Sequence, residues 1–152
     1  MIIPAQTLRL IRPVEPFHER TVENGMTFGL SPAGYDVRVR EMCVLRSGDF
    51  MLASTIEQFE IPNDVMAFVH DKSSWARKGL AVQNTCLEPG WRGFLTLELT
   101  NHGWNLLQIP EGAPIAQIVF HRLEAPTEQP YPEAGKYMDQ PARPVPAKEE
   151  RA

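Results

Sequence analysis

The chain has 152 residues and a net charge of −4, from 15 basic and 19 acidic side chains. This length corresponds to one domain, and 43% hydrophobic against 22% charged residues is typical of a globular protein with one core. The 14 prolines and 10 glycines exclude a helical bundle because they interrupt long helices, and the acidic balance argues against general nucleic-acid binding. A small anionic ligand remains compatible with this charge, since a local basic cluster can oppose the global sign.

Short strands separated by turn residues are the dominant pattern along the first 125 residues. Six segments of five to seven residues are predicted to be strands: 40–46, 57–61, 64–70, 94–100, 105–109 and 115–121. Many short strands of this kind predict an all-β fold, mainly β with one or two short helices, arranged as a sandwich or distorted barrel. In 94–100 the leucines alternate with other residues, so Leu95, Leu97 and Leu99 share the face opposite Glu98.

Two segments depart from the β pattern. Residues 73–78 (SSWARK) are predicted to form the one internal helix, with a serine cap at the start and Gly79 at the end. From Pro126 the chain holds six of its fourteen prolines and ends in charged residues. We therefore expect a β domain over 1–125 and a proline-rich C-terminal arm over 126–152 with a disordered tip.

The cysteines and histidines do not predict a protein-held metal. Cys43 and Cys86 allow at most one disulfide and cannot form a zinc site unaided, and the four histidines lack metal-ligand spacing. No apolar stretch is long enough for a signal peptide or a membrane span. These features together predict a cytoplasmic protein with free thiols that uses no zinc and does not bind membranes.

The helix and the segment leading into it offer a candidate anion site. Lys72, Ser73 and Ser74 combine an ammonium group, two hydroxyls and the free backbone N–H groups of a helix start. Taken alone, a capped surface helix is the more common explanation of the same residues. The pattern therefore identifies a candidate phosphate site without deciding it.

Glu98 is the candidate general base, because it lies in the middle of a strand among apolar neighbours. Burial would raise the pKa of its carboxyl group toward the range useful for proton transfer, unless a cation holds it ionised. Arg77, one helical turn beyond Ser73 and Ser74, is the candidate cation. The alternatives are a glutamate on the solvent side of an amphipathic strand and an ordinary exposed arginine.

Two further segments offer ligand-binding groups. Trp91 follows a turn just before the Glu98 strand and is a candidate stacking surface, although a tryptophan in a β protein is more often a core residue. Residues 135–140 (GKYMDQ) interrupt the proline-rich arm with polar groups that can close over a phosphate. A solvated turn explains this second segment as well.

Six motifs follow one another along residues 27–140 with consistent spacing. They are 34–38 (GYDVR), 72–79 (KSSWARKG), 87–93 (LEPGWRG), 97–101 (LELTN), 116–120 (AQIVF) and 135–137 (GKY) with Gln140. In this order the chain resembles the dCTP deaminases, within the wider dUTPase-like superfamily. The resemblance implies a distorted β-barrel or jelly-roll-like core and a homotrimer with active sites between subunits.

The activity implied by the resemblance is hydrolytic deamination of dCTP to dUTP and ammonia, without zinc, supplying dUTP for dUMP and dTTP synthesis. Glu98 would then activate water, Arg77 would tune Glu98, and Ser73 would fix the water and the tetrahedral centre. Mg²⁺ would bind through the triphosphate. The resemblance also implies which residues bind the substrate. Main-chain groups near Thr85 and Cys86 would bind the base, and Trp91 would contact the deoxyribose. The triphosphate would be bound by Lys72, Ser73, Ser74, Lys136, Tyr137 and Gln140, and the remaining implied substrate-binding residues are Arg77, Glu88 and Gln117.

Departures from the family pattern keep other functions open. Pro141-Ala142 follows Gln140 where many members carry Arg-Gly, so the arm could close differently in this protein. Cys86 is small where members often carry a bulkier residue, so the substrate could be a nucleotide of a modified cytosine. A dUTPase, or a bifunctional enzyme in which Glu88 directs a second water at the α-phosphate, is the nearest alternative. A non-catalytic nucleotide-binding regulator on the same fold is a further one. Feedback inhibition by dTTP is a further question that the resemblance raises.

Overall fold

A computed structural model describes residues 1–23 and 25–149 of the chain. The helices are α1 (Ala5–Ile11) and α2 (Ser73–Ala76). The strands are β1 (Val14–Glu15), β2 (Thr21–Glu23), β3 (Met26–Ser31), β4 (Gly34–Arg38), β5 (Cys43–Leu45), β6 (Phe50–Glu60), β7 (Val65–Asp71), β8 (Leu80–Val82), β9 (Cys86–Leu87), β10 (Arg92–Asn101), β11 (Leu107–Ile109) and β12 (Pro114–Arg122). The predicted all-β class with one or two short helices is confirmed.

The strands form two larger sheets and one small one. The order is β1-β6-β10-β8 in the first sheet, β2-β3-β4-β12-β7-β9 in the second, and β11 pairs with β5 in the third. An isolated bridge between Val39 and Thr55 links the chain just after β4 to β6. Within the first sheet, β6 and β10 run antiparallel, and Leu52 lies directly opposite Glu98.

The core is formed by side chains that point inward from both larger sheets. On β10, Leu95, Leu97 and Leu99 are all buried, whereas Glu98 on the alternate face is half-buried. The predicted burial of the three leucines is therefore confirmed, and each contributes roughly 1.5–3 kcal/mol through the hydrophobic effect. The strict alternation is not confirmed at Thr96, which is buried as well, beside a shift of register in the pairing of β10 with β6. Pairing fixes the rest of β10 against β6, so the backbone that carries Glu98 is rigidly held.

The main error in the strand prediction concerns β6, which begins at Phe50 rather than at residue 57. Its middle is buried at Ala53, Ser54 and Thr55, and these small or polar residues interrupt the apolar alternation that identifies a strand. The Glu41 carboxylate accepts hydrogen bonds from the backbone and hydroxyl of Ser54 at 2.7 Å each. Long-range hydrogen bonds therefore stabilise a strand that the local pattern does not reveal. Strands β1 to β4, β8 and β9 were not predicted either.

Both helices differ from the prediction. Helix α2 has four residues, begins at Ser73 and has no side-chain cap, so Ser73 is its first helical residue rather than its cap. Gly79 follows with φ +95°, where an added Cβ would lie 2.4 Å from the backbone nitrogen of Gly103. Helix α1 was not predicted, since Leu8 is its one buried residue and its apolar pattern is weak. No described helix is long and apolar enough to span a membrane.

The described part of the C-terminal segment, 126–149, has no helix or strand and lies against β10. Arg92 pairs with the carboxylates of Glu133 at 2.8 Å and Asp139 at 2.7 Å, and Gly93 forms an isolated bridge with Gln140. Gly93 has φ +142°, and an added Cβ would lie 2.6 Å from the Gln140 nitrogen. This segment is called the arm below. The predicted tip reaches residues 150–152, which lie outside the described part of the chain.

Candidate active site

A cleft beside β10 contains the predicted general base, and we call it the Glu98 cleft. Its floor comes from β6 and β10, one wall from the segment around β9, and its rim from the arm. Seven of the predicted site residues line it: Thr85, Cys86, Glu88, Trp91, Glu98, Tyr137 and Gln140. The structure thus brings the predicted base-binding and sugar-binding residues to the predicted general base.

The Glu98 carboxylate lies in largely apolar surroundings. Leu52 is opposite it in the sheet, and Phe50 and Leu95 line the same cleft. Burial of the half-exposed side chain raises the pKa of Glu98 above its ordinary value of 4.5. A carboxyl group in such surroundings is a stronger base when ionised than one in free solution, which suits it to removing a proton from water.

The wall of the cleft has a backbone and a side-chain component. The Thr85 carbonyl accepts a hydrogen bond from the Val69 nitrogen at 3.1 Å, which fixes the backbone beside the exposed Cys86. Burial, and secondarily the Glu88 carboxylate, raises the pKa of the Cys86 thiol, so the thiol is neutral near pH 7. Cys86 therefore presents a small uncharged surface to the cleft, next to a second carboxylate.

Trp91 serves both the core and the cleft. Its side chain is 5% exposed and its ring lies 6.3 Å from that of Phe59. The indole nitrogen donates a hydrogen bond to the Tyr137 carbonyl at 2.7 Å, so the ring also holds the arm. Trp91 is therefore a core residue that also lines the cleft, and its role as a stacking surface for a ligand stays a prediction.

A second cleft holds part of the predicted phosphate site, and we call it the Ser73 cleft. Lys72, Ser73 and Gln117 line it together. The Lys72 ammonium lies 2.7 Å from the Asp36 carboxylate and 3.3 Å from the Thr27 hydroxyl, and only 8% of Lys72 is exposed. Lys72 is therefore held in a buried ion pair, a role that its sequence position does not reveal.

Arg77 lies in a third cleft, which we call the Arg77 cleft, beside Lys78 and the fully exposed Trp104. The Glu98, Ser73 and Arg77 clefts have no lining residue in common. A single chain therefore does not bring Arg77 or Ser73 to Glu98. Ser74 is exposed and lines none of the three clefts.

Lys136 lies on the arm, away from the lining of all three clefts. Its carbonyl accepts a hydrogen bond from the Lys148 ammonium at 2.8 Å. Its own ammonium lies 5.3 Å from the centre of the Tyr137 ring. Lys136 is therefore connected to the Glu98 cleft through Tyr137 rather than by direct contact.

Several residues of the Glu98 cleft were not predicted from the sequence, among them Phe50, Leu52, Thr96 and Val145. Thr96 had an available signal, because it lies two residues from Glu98 on the same face of a predicted strand. Phe50 and Leu52 had none, since the start of β6 was itself not predicted. Val145 reaches the cleft through a fold of the arm that no local pattern encodes.

Comparison with solved structures identifies the fold class. The native dUTPase of EIAV superposes with a TM-score of 0.56 at 25% identity, covering 66% of this chain and 84% of that one. The dUTPase from phage phi11 of S. aureus gives a TM-score of 0.59 at 18% identity, covering 76% of this chain and 89% of that one. The curled sheets are those of the dUTPase-like fold, as predicted.

Sequence comparison narrows this class to one family. Residues 36–123 match the family model described as dCTP deaminase-like. A dCTP deaminase of Wolbachia sp. subsp. Brugia malayi (strain TRS) is 35% identical over 84% of this chain and 85% of the relative. That of Campylobacter fetus subsp. fetus (strain 82-40) is 32% identical with the same coverage. The chain belongs to the dCTP deaminase family, which confirms the predicted family and places the protein among enzymes.

Proposed function

We propose that this member of the dCTP deaminase family hydrolyses dCTP to dUTP and ammonia in the Glu98 cleft. The observation that carries the proposal is the half-buried Glu98 carboxylate, which lies in one cleft with Thr85, Cys86 and Trp91. Carbonyl and N–H groups of the 85–86 backbone would bind the edge of the cytosine. Trp91 would contact the deoxyribose with its exposed edge.

Glu98 is the group that activates water in this proposal. Its carboxylate removes a proton as the water oxygen bonds to C4 of cytosine, and it delivers that proton to N3. The carboxylate then moves the proton of the new C4 hydroxyl to N4, the C4–N4 bond breaks as the C4 carbonyl forms, and ammonia leaves, so dCTP and water give dUTP and ammonia. The raised pKa of Glu98 favours both halves of this transfer, since the group must accept a proton and then release it.

Separation of Arg77 and Ser73 from Glu98 supports a site shared between copies of the chain, and we propose a homotrimer. In it, Arg77 of the partner subunit would orient and stabilise the Glu98 carboxylate. Ser73 of the partner subunit would bind the triphosphate, which is the other role that the resemblance implies for it. A heterologous contact repeated around a threefold axis closes into a ring and brings the same three clefts together at each interface.

The triphosphate would extend from the base toward the Ser73 cleft and the arm residues Lys136, Tyr137 and Gln140. Mg²⁺, when bound, neutralises phosphate charge. Asp36 is already paired with Lys72, and Asp71 accepts a hydrogen bond from the Val82 nitrogen at 2.7 Å. The phosphate oxygens of the nucleotide, rather than protein carboxylates, would therefore supply most of the Mg²⁺ ligands, as is usual for Mg²⁺ with nucleotides. A cytoplasmic location and feedback inhibition by dTTP belong to the same proposal.

A second candidate function rests on Glu88, which is exposed and lines the same cleft as Glu98. A second carboxylate there could direct water at the α-phosphate, which would convert dUTP to dUMP and pyrophosphate. The dUTPase-like fold of the chain supports this hydrolysis of dUTP as a second candidate reaction. Glu98 and Glu88 would then serve two consecutive hydrolyses.

Product analysis tests the two candidates together. Purified protein is incubated with dCTP and Mg²⁺, and nucleotides, ammonia and pyrophosphate are quantified over time. We expect equal amounts of dUTP and ammonia without pyrophosphate, and the same products from E88Q. Appearance of dUMP with pyrophosphate, lost in E88Q, would establish the bifunctional enzyme. Absence of ammonia from an otherwise nucleotide-binding protein would contradict the deaminase and indicate a regulator.

A further inference from the structure

The Ser73 cleft offers less positive charge than the sequence motif around Lys72 predicts. Two cations, Arg20 and Lys72, and two carboxylates, Asp36 and Asp71, line it. The Lys72 ammonium is buried against Asp36, and both side chains are less than a tenth exposed. Lys72 therefore offers little positive charge to an incoming anion, because moving it would leave a buried carboxylate unpaired.

Arg20 is the other cation of this cleft, and it is exposed. It immediately precedes β2, and its neighbour Glu19 is held by Arg9 through two hydrogen bonds at 2.6 and 2.8 Å. Within residues 1–23 and 25–149, no carboxylate forms an ion pair with Arg20. Its five N–H donors are arranged to bind a phosphate by two parallel hydrogen bonds.

Neutral donors surround Arg20 in the same cleft. Ser73 is exposed there, and the Gln117 amide donates one hydrogen bond to the Ser31 hydroxyl at 3.3 Å. That bond orients the amide and leaves its second N–H for a ligand. An exposed guanidinium, a hydroxyl and an oriented amide are groups that together bind phosphate oxygens.

We propose that Arg20 is a phosphate-binding residue of this protein and supplies the charge that Lys72 does not. Its ligand is the terminal part of a nucleoside triphosphate, bound with Ser73 and Gln117. The proposal rests on the proposed function for the identity of the nucleotide. It adds a specificity determinant that lies outside all six motifs, because Arg20 would favour triphosphates over monophosphates and nucleosides.

The test measures binding of dCTP, dCMP and deoxycytidine to R20Q in an E98Q background, which prevents turnover. The matched control is R46Q, which removes the same charge from an exposed position outside the three clefts. We expect R20Q to weaken dCTP binding about tenfold or more, deoxycytidine binding less than twofold, and R20K to restore part of the loss. R46Q should bind all three ligands as the parent does.

The outcomes separate this proposal from the proposed function. Unchanged dCTP binding by R20Q, or an equal loss for all three ligands, would overturn the role of Arg20 even if the parent protein deaminates dCTP. Conversely, loss of triphosphate affinity in R20Q together with no deamination by the parent would support Arg20 and contradict the deaminase. Absence of triphosphate binding in the parent protein would overturn both.

Discussion

The Thr96 hydroxyl donates a hydrogen bond to the side-chain oxygen of Gln140 at 2.7 Å and accepts one from the Val145 nitrogen at 3.0 Å. Thr96 lies two residues before Glu98, on the same face of β10. One buried hydroxyl therefore joins the strand of the proposed general base to two points of the arm at the rim of its cleft.

Loss of this hydroxyl should loosen the arm. In T96V both hydrogen bonds disappear, each contributing roughly 0.5–1.5 kcal/mol, so we expect amide exchange within 140–148 to accelerate about threefold to tenfold or more. Hydrogen exchange measured by mass spectrometry checks this. T100V, on the same strand and half-exposed, is the control. Equal protection of the arm in T96V and the parent protein would show that Thr96 does not hold it.

Burial of Glu98 predicts that its apolar neighbours set part of the position of the acidic limb in the pH profile of kcat/KM. The carboxyl group must be ionised to take a proton from water, so kcat/KM should fall as the pH decreases through its pKa, which burial raises and Arg77 of the partner subunit would lower. L52A removes apolar surface directly opposite Glu98 and should lower that pKa, so activity should persist to lower pH. L10A, at an exposed leucine of α1 that lines none of the three clefts, is the control. An acid limb that stays in place in L52A would contradict this source of the pKa shift.

Sharing of the site between subunits predicts complementation. E98Q and R77Q should each be inactive alone, yet subunits mixed through unfolding and refolding should regain activity. Random assembly gives about a quarter of the interfaces both an intact Glu98 and an intact Arg77. We therefore expect about 25% of parental activity from an equimolar mixture, measured as ammonia release. Activity no greater than the sum of the separate variants would indicate a site within one subunit.

The buried ion pair between Lys72 and Asp36 should dominate the stability of the Ser73 cleft. D36N leaves the Lys72 ammonium buried without its counter-ion, so we expect a loss on the order of 3 kcal/mol and a Tm lower by roughly 10 °C. E19Q breaks the exposed pair with Arg9 and should change the Tm little. Thermal unfolding of both variants measures the contrast, and similar Tm values for the two would mean that Lys72 is not held as described.

Local sequence patterns were sufficient to predict the strand that carries Glu98, the proposed general base. Alternation of leucines along 94–100 predicted which side chains of β10 enter the core and that Glu98 lies on the other face, whereas Thr96 on that face is buried under the arm. The same reasoning missed the start of β6, because buried Ser54 and Thr55 depend on partners distant in the sequence. Periodicity reports the faces of an element but not the hydrogen bonds that allow polar residues inside.

The candidate site, too, could be predicted from the sequence only in part. Motif order brought together the residues around Glu98, but it also grouped Arg77 and Ser73 with them, whereas one chain holds these in separate clefts. Pairing of Lys72 with Asp36 joins residues of two different motifs and changes what the lysine can bind. Motifs identify the residues of a site, whereas their partners are set by the tertiary fold.

The central claim is that Glu98 activates the water that deaminates dCTP, and E98Q tests it most directly. The amide keeps the shape of the side chain but cannot take a proton, so the single-turnover rate of ammonia release should fall at least about a thousandfold. Binding of dCTP should stay within about threefold of the parent protein. A parental rate of ammonia release from E98Q, with dCTP bound normally, would contradict the account.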